Sequence, residues 1–133
     1  MTRLDRTPPL RWWSATIEGE PASKANSRRI VRRGKFRRVI KSQKALDYVQ
    51  QLRAQIAPLP ESEMLRGRLC LTAHVFYQSN RPDLDISLIL DALQGVVYQN
   101  DRQVREMHLH HHIDRARPRT RLHIAETTDD DDE

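Results

Sequence analysis

Leu69-Cys70-Leu71-Thr72-Ala73-His74-Val75-Phe76-Tyr77 is the stretch on which the fold turns. Apolar residues at 69, 71, 73, 75 and 77 alternate with Cys70, Thr72, His74 and Phe76, the period-two pattern of a strand with both faces at least partly covered. Directly after it come Arg81-Pro82-Asp83-Leu84-Asp85 and then Leu84, Leu88, Ala92 and Leu93 at helical spacing. That spacing predicts a helix over 83–94, with Gly95 at its C-cap. Residues 103–113 read as the next strand, with Met107, Leu109 and Ile113 on one face, and 119–126 as the last, with Leu122 and Ile124 inward.

On the N-terminal side the pattern is less regular. Residues 12–18 alternate apolar and polar and read as a strand, ended by Gly19 and Pro21. Residues 28–33 and 36–41 flank Gly34-Lys35 and read as a basic β-hairpin. Ser42 suits a helix N-cap; Ala45, Val49, Leu52 and Ile56 recur at helical spacing, and Pro58 stops the run before a linker over 58–67. The order β-ββ-α-β-α-β-β implies a single domain of the α/β (α+β) class, a mixed sheet with two main helices packed on it. Its expected bounds are 12–126, between a flexible N-terminal arm over 1–11 and a disordered acidic tail over 127–133.

Composition narrows the setting. A chain of 133 residues fits one domain, and at 38% hydrophobic it has a modest core. No apolar run approaches the ~18 residues of a membrane helix. The first ten residues are polar and show no secretion signal. One cysteine, Cys70, excludes an intrachain disulfide framework and a cysteine-only zinc site, and fits a reducing, cytoplasmic compartment.

The net charge of +5 hides an asymmetry. Without the five acids of Asp129–Glu133, 23 basic residues face 13 acidic ones, a balance of +10. Ten Lys and Arg and no Asp or Glu occupy 24–44. That stretch is a footprint for a polyanion, most simply nucleic acid. Arg28, Arg29, Arg32, Arg33, Lys35, Arg37 and Arg38 are the candidate phosphate contacts, and Lys24 is either a further phosphate contact or one more solvated charge. The acidic tail either competes with DNA for this surface or only solubilises the chain.

The carboxylates allow two readings. Asp83 and Asp85, at i and i+2 after a strand, lie on one side of an extended chain and can share a divalent cation such as Mg²⁺. The same pattern also starts helices, where acids offset the macrodipole. Asp101 joins the pair only if the chain turns back along the helix. Asp91 falls on another face and reads as structural. His108, His110 and His112 share a strand face; such spacing can bind zinc, but the ordinary reading is a polar outer face, with His111 hydrogen-bonded inside. Trp12 and Trp13 can stack on unpaired bases, or one belongs to the core or a dimer interface.

Three pieces then fall in a specific order. Arg81-Pro82-Asp83-Leu84-Asp85, Leu90-Asp91-Ala92-Leu93-Gln94-Gly95-Val96-Val97-Tyr98 and Asn100-Asp101-Arg102-Gln103-Val104 resemble the signature of RusA-type Holliday-junction resolvases. Gly19-Glu20-Pro21-Ala22-Ser23-Lys24 resembles that family's opening Gly-x-Pro-x-x-Lys. The resemblance implies a Mg²⁺-dependent (alternatively Mn²⁺-dependent) endodeoxyribonuclease of recombination and repair. It implies cutting of four-way DNA by a homodimer in a bacterial, often phage-derived, cytoplasm. It implies Asp83, Asp85 and Asp101 as metal ligands and, with Lys24, as the catalytic set. Two positions depart from the pattern: Asn100 stands where the family often has aspartate, and no lysine follows Asp85 in the helix. The competing expectations are a branched-DNA binder of this fold without turnover, and a ribosome-associated RNA-binding protein.

Overall fold

The computed structural model describes residues 10–22, 28–33, 36–41 and 43–128, with backbone alone for the hairpin. Six strands and two helices run in the order β1 (Trp12–Glu18), β2 (Arg28–Arg33), β3 (Phe36–Lys41), α1 (Gln43–Ala54), β4 (Leu69–Tyr77), α2 (Ser87–Leu93), β5 (Val104–Ile113) and β6 (Arg119–Glu126). This is the expected α+β order. β1, β6, β4 and β5 form one mixed sheet in that spatial order, while β2 and β3 make a separate antiparallel pair. Among the described strands only β4 and β5 pair in parallel, and the crossover between them carries α2.

β4 is the central strand. Leu69, Leu71, Ala73, Val75 and Tyr77 are buried, and they join Ile17, Leu122, Ile124 and the apolar faces of α1 and α2 in one core. α1 buries Ala45, Tyr48 and Leu52, at i, i+3 and i+7. Tyr48 thus takes the full burial expected of Val49, which packs at the core's margin. Gln55 ties this helix to the sheet: its Oε1 accepts from the Glu18 N–H at 2.7 Å and its Nε2 donates to the Glu18 carbonyl at 3.1 Å. Arg11, expected in the loose arm, is anchored instead. Its N–H donates to Glu126 Oε1 at 2.9 Å and its guanidinium reaches the Met64 carbonyl.

Three further expectations change. The second helix starts at Ser87, not Asp83, and spans seven residues. Residues 83–85 are irregular because Asp85 Oδ1 accepts from both the Ser87 N–H (2.9 Å) and Oγ (2.6 Å), so the helix begins only after that turn. The face of β5 expected inward is only partly so: Met107 is 47% and Ile113 55% exposed. β5 is an edge strand, and the helices do not reach its flank. For the same reason His111 is exposed, with its ring stacked 5.0 Å from that of Tyr77. Trp12 is 66% exposed and stacks on His123, while Trp13 packs against the core.

Candidate active site

The C-terminal end of β4 gathers carboxylates. Tyr77 is 1% exposed, and its hydroxyl organises the segment after the strand: it donates to the Asp83 carbonyl at 2.9 Å and accepts from the Asp85 N–H at 3.2 Å. One buried phenol thus clamps the backbone on both sides of Leu84. Asp83 is exposed and Asp85 half-buried, as suits a site at a protein–solvent boundary.

A third acid arrives from the adjacent end of β1, an edge strand of the sheet. Gly19, at φ +104°, makes a turn that L side chains rarely adopt, and its N–H donates to the Pro118 carbonyl at 2.9 Å. The turn directs Glu20 to the end of β4, where its Oε1 accepts from the Gln78 N–H at 2.7 Å. Burial raises the Tyr77 hydroxyl above its ordinary value, and the charges of Asp85, Glu20 and Asp83 push it further. Three acids therefore share one negative locus. Their donors are all carboxylate oxygens, the set a hard divalent cation takes. Sequence reasoning passed over Glu20; the signal was its place between Gly19 and Pro21.

Asp101 belongs to a second locus. Its N–H donates to Gln94 Oε1 at 2.8 Å, just past the end of α2. Burial raises the Tyr98 hydroxyl, and Asp101 and Asp91 add to the rise. Asp91, structural by its helical spacing, thus keeps company with Asp101. α2, about 10 Å long, runs between Asp85 and Gln94. Among the described residues no three carboxylates bring their oxygens within 4.8 Å of one another. The Tyr98 side chain reaches back along the helix, donating to the Leu90 carbonyl at 2.8 Å.

The two departures from the expected pattern have local accounts. Asn100 caps the 3-10 turn at Asp101–Gln103: its Oδ1 accepts from the Arg102 N–H at 2.8 Å, and Gln103 Oε1 accepts from the Asn100 N–H at 3.0 Å. Asparagine serves that cap as well as aspartate. α2 carries no lysine, but a cation stands at its C-terminal end, where Arg53 of α1 donates through Nε to the Ala92 carbonyl at 3.1 Å. Lys24, Lys35, Ser42 and the acidic residues 129–133 lie outside the described residues. The strands holding Arg28, Arg29, Arg32, Arg33, Arg37 and Arg38 do form the expected hairpin, with Arg32 opposite Arg37.

Comparison with known proteins decides the family. The family model for endodeoxyribonuclease RusA matches residues 18–125 of the 133. The chain belongs to the RusA endodeoxyribonuclease family. The match runs from Glu18, the last residue of β1, to Ala125 of β6, so it takes in β4, β5, nearly all of β6 and both acidic loci. As a member of that family the chain is an endodeoxyribonuclease, a phosphodiester hydrolase that resolves Holliday junctions. Enzymes of the family depend on a divalent metal. No curated protein sequence matches the chain. No helix among the described residues is long and apolar enough to cross a membrane.

Proposed function

We propose that this RusA chain resolves four-way DNA junctions by Mg²⁺-dependent paired cleavage as a homodimer, with Asp83, Asp85 and Asp101 as metal ligands. The observation that carries the reading is the Tyr77 locus, where Asp83, Asp85 and Glu20 concentrate negative charge at the end of the central strand. A divalent cation there would polarise a phosphate oxygen and lower the pKa of an attacking water. The chain's own contribution is positioning. Tyr77 fixes the backbone carrying both aspartates, and Ser87 holds Asp85 Oδ1 in one orientation.

Asp101 closes on the pair when metal and DNA bind, since no three carboxylates among the described residues hold their oxygens within 4.8 Å of one another. Glu20 is already at the pair, as a further ligand or as the group that orients one. Lys24 follows Glu20 by four residues and supplies a cation for the scissile phosphate. The basic hairpin tracks phosphates on the junction arms, and the two-fold symmetry of a dimer matches that of the junction. Residues 12–126 form the working domain, in a bacterial cytoplasm and of phage derivation.

A labelled four-way junction tests the ligand set. Asp101→Asn is expected to bind the junction and fail to cut it. If Asp101→Asn cuts as wild type while Glu20→Gln does not, Glu20 replaces Asp101 as the third ligand. A second reading, branched-DNA binding without turnover, draws on the lack of three mutually close carboxylates among the described residues. Wild-type protein that binds junctions and leaves them uncut with Mg²⁺ or Mn²⁺ would establish it.

A further inference from the structure

The sheet face turned away from the helices is a four-by-four array set by strand register. Its rows are Trp12, Ala125, Cys70, Glu106; Ser14, His123, Thr72, His108; Thr16, Arg121, His74, His110; and Glu18, Arg119, Phe76, His112. Five of the six histidines of the chain lie on this face. The nuclease reading uses none of them.

We propose that Cys70, Glu106 and His108 form a binding site for a transition cation of the zinc class, separate from the carboxylate locus. Cys70 Sγ, a Glu106 carboxylate oxygen and a His108 ring nitrogen all lie within 4.8 Å of one another, the only such group of three His, Cys, Asp or Glu residues among the described residues. A tetrahedral zinc, with bonds of about 2.0–2.3 Å, spaces its donors roughly 3.3–3.8 Å apart. Side-chain adjustment of an ångström or so therefore suffices. His108 Nε2 and Glu106 Oε2, now hydrogen-bonded at 2.6 Å, part slightly to admit the ion.

The backbone register builds this arrangement. Leu69 pairs with Val104 but Cys70 pairs with Glu106, so Arg105 is an extra residue in β5. Bulges in parallel pairs are rare, and they re-aim side chains. Without this one, Cys70 would face Arg105, and His108 would share the face of Leu71 and Ala73. The bulge puts a carboxylate and an imidazole beside the single thiol. The donor set fixes the class of ion: thiolate and imidazole favour zinc, cobalt or nickel over Mg²⁺. Coordination displaces the Cys70 thiol proton to solvent and leaves the fourth position to water. The ion would tie the edge strand β5 to central β4. The neighbouring His74–His112 pair, at 2.8 Å between Nδ1 and Nε2, supplies only two donors and is committed to its own hydrogen bond.

Cobalt titration of the chelator-washed full chain tests this without reading activity. One thiolate-bound Co²⁺ per chain is expected, read by a thiolate-to-cobalt charge-transfer absorption that stoichiometric Zn²⁺ abolishes and excess Mg²⁺ does not. Cys70→Ser should remove the band. Glu106→Gln and His108→Asn, both at exposed positions that leave the fold intact, should weaken cobalt binding about tenfold or more. Asp85→Asn should leave that band unchanged. Absence of the thiolate band, a band indifferent to Glu106→Gln and His108→Asn, or cobalt binding that survives Cys70→Ser and disappears in His74→Asn would each overturn the proposal.

Discussion

The rim at the end of β4 and the open face of the same sheet differ in how they were made. The rim is irregular: a glycine turn delivers Glu20, a buried phenol pins Asp83 and Asp85, and short polar contacts delay the start of α2. The open face is regular, and one bulged residue decides what it displays. Irregular backbone gathers like charges, which repel unless a cation joins them. Regular backbone places unlike donors side by side at no such cost. One domain thereby offers a hard oxygen locus and a softer thiol–imidazole locus on two sides of β4.

Mutations can separate the two. The largest expected effect is at the rim: Asp85→Asn should lower junction cleavage by at least ~100-fold with binding retained, since losing a metal ligand forfeits several kcal/mol of transition-state stabilisation. Glu20→Gln should cost roughly 10–100-fold, the range for a group that orients ligands. Gel-shift and cleavage assays on one labelled junction read both. If Cys70→Ser matched either loss, the two loci would not be independent.

Smaller effects sharpen the contrast. Each arginine of the hairpin that contacts phosphate, for example Arg32 or Arg37, should reduce the log–log salt slope of junction binding by about 1 when changed to alanine. An unchanged slope for all six hairpin arginines would remove the hairpin from the DNA surface. On the open face, desolvation, helped by His110, His112 and Arg121, lowers the His74 pKa below its ordinary value. The unfolded chain then takes up that proton more readily. The stability His74 contributes is full above pH ~6.5 and is lost as pH falls through its lowered value. Thermal melts between pH 7.5 and 5.5 should show a shallower acid loss for His74→Gln than for wild type. Equal slopes would mean that the imidazole row does not repel the added charge.

Much of the fold is legible in the sequence, for identifiable reasons. The alternation in 69–77 and 119–126 is strict because central strands bury one face completely, and both strands lie where it places them. The helix expected over 83–94 is overlong because apolar spacing continues through Leu84, while the Asp85–Ser87 contacts that delay it are side-chain geometry. β5 reads as covered because periodicity reports which residues share a face, and not whether an edge strand has neighbours to cover it. Asp83 and Asp85 stand out by type and spacing. Glu20 does not, since only the Gly19 turn brings it to them. Nor does the Cys70–Glu106–His108 group, because it depends on a register shift that no local pattern encodes.

The central claim is that the carboxylates at the end of β4 run a metal-dependent nuclease. The direct measurement is cleavage of a fluorescent four-way junction by the full chain in Mg²⁺, beside matched reactions with EDTA and with Asp85→Asn. Symmetric paired nicks are expected in Mg²⁺ alone, and a bound but intact junction in the other two. Nicking by Asp85→Asn at the wild-type rate, or wild-type cleavage that persists in EDTA, would contradict the claim.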